Sequence, residues 1–165
     1  MSNSAEPLRS IFRLNTELVV NCLSGVDDAT AWRQVTAGTN HMAFLLAHLI
    51  TTRHLLADAF GAPLASPLEG VMDRATKVSD VIELPPVDDL LGYWHAVSLH
   101  LDRALGELPE EALSEHTPMR FPIDGDRRLD VLAFFAQHDS YHVGQLALLR
   151  RQLGLPAMAY PRRAT

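Results

Sequence analysis

His138 and His142 stand four residues apart in HDSYHVGQ, inside a stretch patterned as a helix. Four residues turn an α-helix through roughly 400° and raise it ~6 Å, so both imidazoles leave adjacent turns of one face and can reach a single ion. Val131, Phe135, Gln145 and Leu149 continue that face and are mostly core types, which turns the histidines inward. Burying two neutral imidazoles is costly unless each nitrogen has a partner, and an ordinary hydrogen bond serves as well as an ion. The pair alone therefore leaves metal binding and hydrogen-bonded core histidines both open. A third imidazole changes the balance: His48, in AFLLAHLITT, is flanked by Leu45, Leu46, Leu49 and Ile50 and has little reason to be buried unpartnered. Three neutral histidines leave an ion its full charge and an open position for water, the pattern of catalytic rather than structural zinc sites. Imidazoles do not choose among zinc, nickel, ferrous and manganous ions.

The neighbouring residues read more plainly. Gln145, about one turn beyond His142, is either a group that orients a ligand histidine or an ordinary polar contact. Asp139 reads as a surface or interhelical partner, Tyr141 as a boundary residue and Gly144 as a packing position. His41 shares the stripe of His48 but lies ~10 Å away along the axis, too far for the same ion. It reads as a surface histidine, or at most as part of a substrate pocket. His54 is expected to be exposed, His95 and His100 to lie at boundaries, and His116 in a loop. Trp32 and Trp94 read as core aromatics, and Cys22 as a packed thiol. There is no phosphate-binding Gly-rich loop, dinucleotide fingerprint or Gly-x-Ser-x-Gly elbow. Asp139 stands where His-Glu-x-x-His metalloproteases carry glutamate, which disfavours peptide hydrolysis.

Four amphipathic segments must position these groups. The first runs about 6–23, with Pro7 at its start and Gly25 beyond its end. The second, about 40–60, is apolar over much of its girth, with Thr39 or Asn40 as the expected cap and Gly61 and Pro63 as the stop. The third, about 86–108, carries Asp88 and Asp89 in its first turn and an inner stripe of Leu90, Leu91, Trp94, Leu101, Leu105 and Leu108. The fourth, about 129–153, ends at Gly154. With no convincing strand pattern between them, the expectation is an all-α four-helix bundle with a long, functional or mobile connection between helices two and three. RFPIDGDRRLD is expected to form a small hairpin at one end.

The whole-chain balance narrows the function further. At 165 residues, 47% hydrophobic and 21% charged, residues 1–165 read as a single domain able to bury its own core. A net charge of -6 and a pI near 5.7 argue against nucleic acid and anionic membranes as partners. The pairs Arg127-Arg128, Arg150-Arg151 and Arg162-Arg163 are expected to be solvated surface. A lone cysteine, no secretion signal and no membrane-length apolar run fit a cytoplasmic protein.

The histidine of HLITTRHLL together with HDSYHVGQ, followed by LLRRQLGLP, resembles the DinB-like superfamily, which includes YfiT-type metal-dependent hydrolases and bacillithiol S-transferase-like proteins. The resemblance spans nearly the whole chain. It implies an up-down-down-up bundle and a metal site at His48, His138 and His142, with zinc or nickel first and iron or manganese as alternatives. It implies that homodimers are common and makes thiol S-transfer the leading reaction, with a small-molecule substrate and a low-molecular-weight thiol as partners. Metal-dependent hydrolysis is the alternative within that resemblance. A non-catalytic, stress-associated metal scaffold is the competing reading, because the sequence names no general acid or base.

Overall fold

The protein is described here by a computed structural model covering residues 4–161. Four long helices dominate: α1 (Glu6–Leu23), α2 (Met42–Ala59), α3 (Val87–Glu107) and α4 (Arg128–Gln152). The fold is all-α, and among the described residues the expected hairpin reduces to one isolated antiparallel bridge, His116 to Arg127. Pro122 lacks the N–H that a ladder needs, and Phe121 instead packs on Phe134 and Phe135 beside the second apolar cluster, with ring centroids 4.8 and 5.1 Å away.

Each helix end has a local cause. Pro7 occupies the first turn of α1, where its missing N–H costs nothing. The cap of α2 is neither Thr39 nor Asn40 but His41, whose Nδ1 accepts the Phe44 N–H at 3.1 Å. Gly61 (φ 77°) closes α2: its N–H bonds Asp58 O while Ala62 N–H bonds Ala57 O. The same paired pattern ends α4 at Gly154 (φ 84°), through Arg151 O and Arg150 O. Both ends need the left-handed conformation that glycine adopts without strain. At the start of α3, Asp28 from the one-turn helix Asp28–Ala31 accepts the Val87 N–H at 2.7 Å.

Two apolar clusters fill the bundle. One holds Leu18, Cys22, Leu46, Ile50, Leu90, Trp94, Leu146 and Leu149; the other holds Phe12, Leu56, Phe60, Leu101, Leu105, Val131, Leu132 and Phe135. Read along the chain, α1 and α4 run from the second cluster to the first, while α2 and α3 run from the first to the second. The topology is therefore up-down-down-up. Parallel neighbours need a crossover, and residues 61–86 supply it. That connection is not loose: Leu68, Met72, Val78, Val81 and Leu84 are buried against the first cluster. His54 Nδ1 and His100 Nε2 donate to Leu64 O and Ala62 O at 2.9 and 2.8 Å, pinning its start. His54 is accordingly buried, against the expectation of exposure, because the crossover lies over it. His95 is exposed and His100 half-buried, as boundary positions are.

Arg150 departs from its expected place on the surface. It is buried and its guanidinium donates to Cys22 O and Ser24 O at the end of α1 and to Pro156 O, satisfying carbonyls that a helix end leaves free. Arg127 and Arg151 are exposed, and Arg128 is half-buried beside Glu115 at 3.4 Å. Arg162 and Arg163 lie outside the described residues.

Candidate metal centre

Helices α2 and α4 bring three imidazoles to one point. His48 projects from the middle of α2 and His138 and His142 from successive turns of α4. His138 Nε2 lies 3.1 Å from both His48 Nε2 and His142 Nε2, and the three nitrogens lie within 4.8 Å of one another. Phe44, one turn before His48, stacks nearly parallel to its ring, with centroids 6.3 Å apart.

Protons alone do not explain these contacts. A neutral ring nitrogen either donates or accepts one in-plane hydrogen bond, so His138 Nε2 can pair with one neighbour at 3.1 Å and not both. The His142 tautomer is fixed by its other nitrogen, because Nδ1 is 2.7 Å from Gln145 Oε1 and the Gln145 amide N donates to Tyr141 Oη at 3.2 Å. An amide oxygen only accepts, so Nδ1 carries the proton and Nε2 presents a lone pair inward. Three convergent imidazole nitrogens, at least one bare by this argument, fit a cation, and neutral imidazole is the form that binds metal. The environment favours that form: burial, then the nearby His142 and His138, push His48 down to about 4. Burial likewise lowers His142, against the opposing hydrogen bond to Gln145.

Directly behind the histidines runs a polar layer that separates the two apolar clusters. Arg53 and Asp139 are each 1% exposed. Arg53 Nε and Nη2 both lie 2.9 Å from Asp139 Oδ2. Nη1 donates to Thr16 Oγ1 at 2.7 Å and to Ser98 Oγ, and Nη2 to Phe12 O at 3.0 Å. All five guanidinium N–H groups therefore have acceptors drawn from α1, α3 and α4, while the plane sits 3.8 Å from the Trp94 ring centroid. Burial draws the Arg53 pKa down and Asp139 opposes it. Sequence reasoning missed Arg53. The available signal was a single cation in a helix apolar on every side, which is forced inward and must find a partner. Asp139 is that interhelical partner and is not at the surface.

The other singled-out groups divide cleanly. His41 is neither a surface histidine nor near the triad in role: it is buried, caps α2 and lies 4.6 Å, centroid to centroid, from Trp32. Trp94 is fully buried, with its indole N–H donating to Thr16 O. Cys22 is a packed thiol, pushed up to about 11 by burial, which removes it as a nucleophile at neutral pH. His116 sits in its loop, 2.8 Å from Asp126. Gln145, the partner of His142, also lines a cleft of about 450 Å³ with Val35, Thr36, Leu45, Leu148 and Leu149, a lining that includes none of the three histidines.

The sequence profile of the DinB superfamily matches residues 11–146. The chain belongs to the DinB superfamily. The match takes in His48, His138 and His142, together with Arg53, Asp139 and Gln145. The fold of this DinB superfamily member is similar to that of a DinB-like protein from Bacillus cereus, with a TM-score of 0.71 and 18% identity over 99% of this chain and 100% of that one. A DinB-like protein from Bacillus subtilis gives a TM-score of 0.68 and 18% identity over 95% and 99% of the two chains. No curated protein matches significantly.

Proposed function

We propose that His48, His138 and His142 hold one divalent transition-metal ion, zinc or nickel first, and that the protein is a metal-dependent enzyme acting on a small molecule. The observation that carries this reading is the double 3.1 Å approach to His138 Nε2, which a shared cation accounts for and a shared proton does not. When bound, such an ion supplies a nucleophile at neutral pH by lowering the pKa of a coordinated thiol or water.

Thiol transfer ranks above hydrolysis on the chemistry of the site. The nearest carboxylate, Asp139, has one oxygen committed to Arg53 and is buried behind the histidines, so it is not placed to take a proton from water on the open side. A coordinated thiol gives up its proton to solvent outright, whereas a coordinated water is only about half ionised near pH 7 and gains more from a base. The chain's own groups hold the ligand nitrogens in place, through Gln145 at His142 and Phe44 at His48, and shape the adjoining cleft. None of that cleft's lining side chains is charged, which suits an uncharged portion of a substrate. We place the protein in the cytoplasm and expect a homodimer, with exposed Tyr141 and Leu148 on α4 as the apolar surface that light scattering and substitution would test.

A panel of low-molecular-weight thiols with small electrophiles, run beside ester substrates before and after chelation, tests the reaction. Thiol consumption that disappears with the metal and returns on adding zinc or nickel is the expected result. If chelation lowers the melting temperature and no turnover of either kind is found, the ion belongs to a non-catalytic scaffold. That second reading is favoured by one observation: among the described residues, the three Nε2 atoms make hydrogen-bond contact only with one another, and no uncommitted acid or base joins them.

A further inference from the structure

Two polar atoms behind the histidines have no hydrogen-bond partner although they are buried: His138 Nδ1 and Asp139 Oδ1. They lie 3.8 Å apart. Each is what the other lacks. With Nε2 turned to the ion, a neutral His138 carries its proton on Nδ1, and a carboxylate oxygen is an acceptor with nothing else to accept from. Buried groups of this kind are rarely left unpaired, and closing the gap to hydrogen-bond length takes a ring shift of about 1 Å.

The geometry points to Asp139 as the positioning residue of the metal centre: Arg53 clamps its Oδ2, which leaves Oδ1 to receive the His138 Nδ1 proton and hold Nε2 bare toward the ion. The inference rests on the three-histidine reading and deepens it, because it ties one ligand to a hub that all four helices build. Asp139 cannot rotate away, since Nε and Nη2 of Arg53 fix the same oxygen from two directions at 2.9 Å. Arg53 is in turn fixed by Thr16, Ser98 and Phe12. The other face of the site has its counterpart in Gln145, which receives the His142 Nδ1 proton. His138 and His142 thus have their outer nitrogens engaged by acceptors of different strength, a carboxylate and an amide. Carboxylate acceptors raise the basicity of a ligand imidazole, and their removal typically costs roughly 10- to 100-fold in metal affinity.

The test compares wild type, Asp139→Asn and Ser98→Ala as full-length proteins, with zinc affinity read by chelator competition. Zinc-loaded, ¹⁵N-histidine-labelled wild type is examined by NMR for the His138 Nδ1 proton. Asp139→Asn is nearly isosteric and keeps an acceptor for Arg53, but turns an amide N–H₂ toward His138 Nδ1 and so opposes the metal-binding tautomer. Its zinc affinity is expected to fall roughly 10- to 100-fold. Ser98→Ala removes one acceptor of Arg53 without touching the free oxygen, and is expected to lower the melting temperature while zinc affinity stays within about twofold, since a purely structural loss does not move the ligand. In wild type the His138 Nδ1 proton is expected downfield and protected from exchange, and this measurement stands even if Asp139→Asn does not fold. Equal zinc affinity in wild type and Asp139→Asn, or a wild-type His138 Nδ1 proton that exchanges freely, overturns the inference and leaves the metal reading intact. A wild type that takes up no zinc overturns the metal reading and this inference with it.

Discussion

At the scale of single residues, the site is governed by which nitrogen carries each proton. Gln145 sets that for His142, so Gln145→Leu, which removes the acceptor at similar volume, is expected to weaken zinc binding about 10-fold in a competition titration while leaving the helix content unchanged. His48 gives a pH signature. Its ordinary value near 6.5 is lowered to about 4 in the folded chain, chiefly by burial. Below pH 6.5 the unfolded chain therefore binds a proton that the folded chain refuses. The stability of the metal-free protein is complete above about 6.5 and declines as the pH falls through 4, with the His48 share of the loss approaching about 3 kcal/mol. Denaturant unfolding of chelated protein between pH 7 and pH 4 checks this, and His48→Gln is expected to flatten part of the slope. The three site histidines were legible in the sequence because charged or polar groups at helical spacing among leucines announce burial. Arg53 and Asp139 carried the same signal, but they lie 86 residues apart, and pairing across a bundle leaves no mark in local periodicity; His54 is covered by the irregular crossover through Leu64 O, which has no periodicity to read.

At the scale of elements, helix limits were legible where a residue type alone decides them, as with Pro7, Gly61 and Gly154. They were not legible where the cap comes from elsewhere. His41 took the capping role expected of Thr39 or Asn40, and α3 is capped by Asp28, 59 residues away in the chain. Arg150 is the strongest example: a basic residue near the end of one helix serves the carbonyl end of another. Arg150→Ala leaves Cys22 O and Ser24 O without their donor and is expected to destabilise the fold by about 2–3 kcal/mol, with faster amide hydrogen exchange confined to the last turn of α1. Arg151→Ala, one position on and exposed, is expected to change stability by less than about 0.5 kcal/mol. Equal effects from the two substitutions would contradict the capping role.

At the scale of the whole molecule, one polar layer divides two apolar clusters, and His48, His138 and His142 sit against that layer. The bundle class and its long connection followed from four amphipathic segments and a 25-residue interval, 61–85, without a helix pattern. The packing of that interval against the core did not, because Leu68, Met72, Val78, Val81 and Leu84 have no regular spacing. Breaking the layer is expected to be costly: Arg53→Met strands the Asp139 carboxylate and should destabilise the fold by about 3–5 kcal/mol, read by denaturant unfolding. Replacing both partners with apolar residues should recover part of that loss, since the penalty lies in the uncompensated charge. That double variant is also expected to bind zinc weakly, which separates what the layer does for the fold from what it does for the site.

Metal content measured on untagged protein, wild type beside His48→Ala, tests the central claim most directly. About one zinc or nickel ion per wild-type chain, with little or none in the variant, is the predicted result. Negligible metal in both proteins, after refolding or dialysis against either ion, would contradict it.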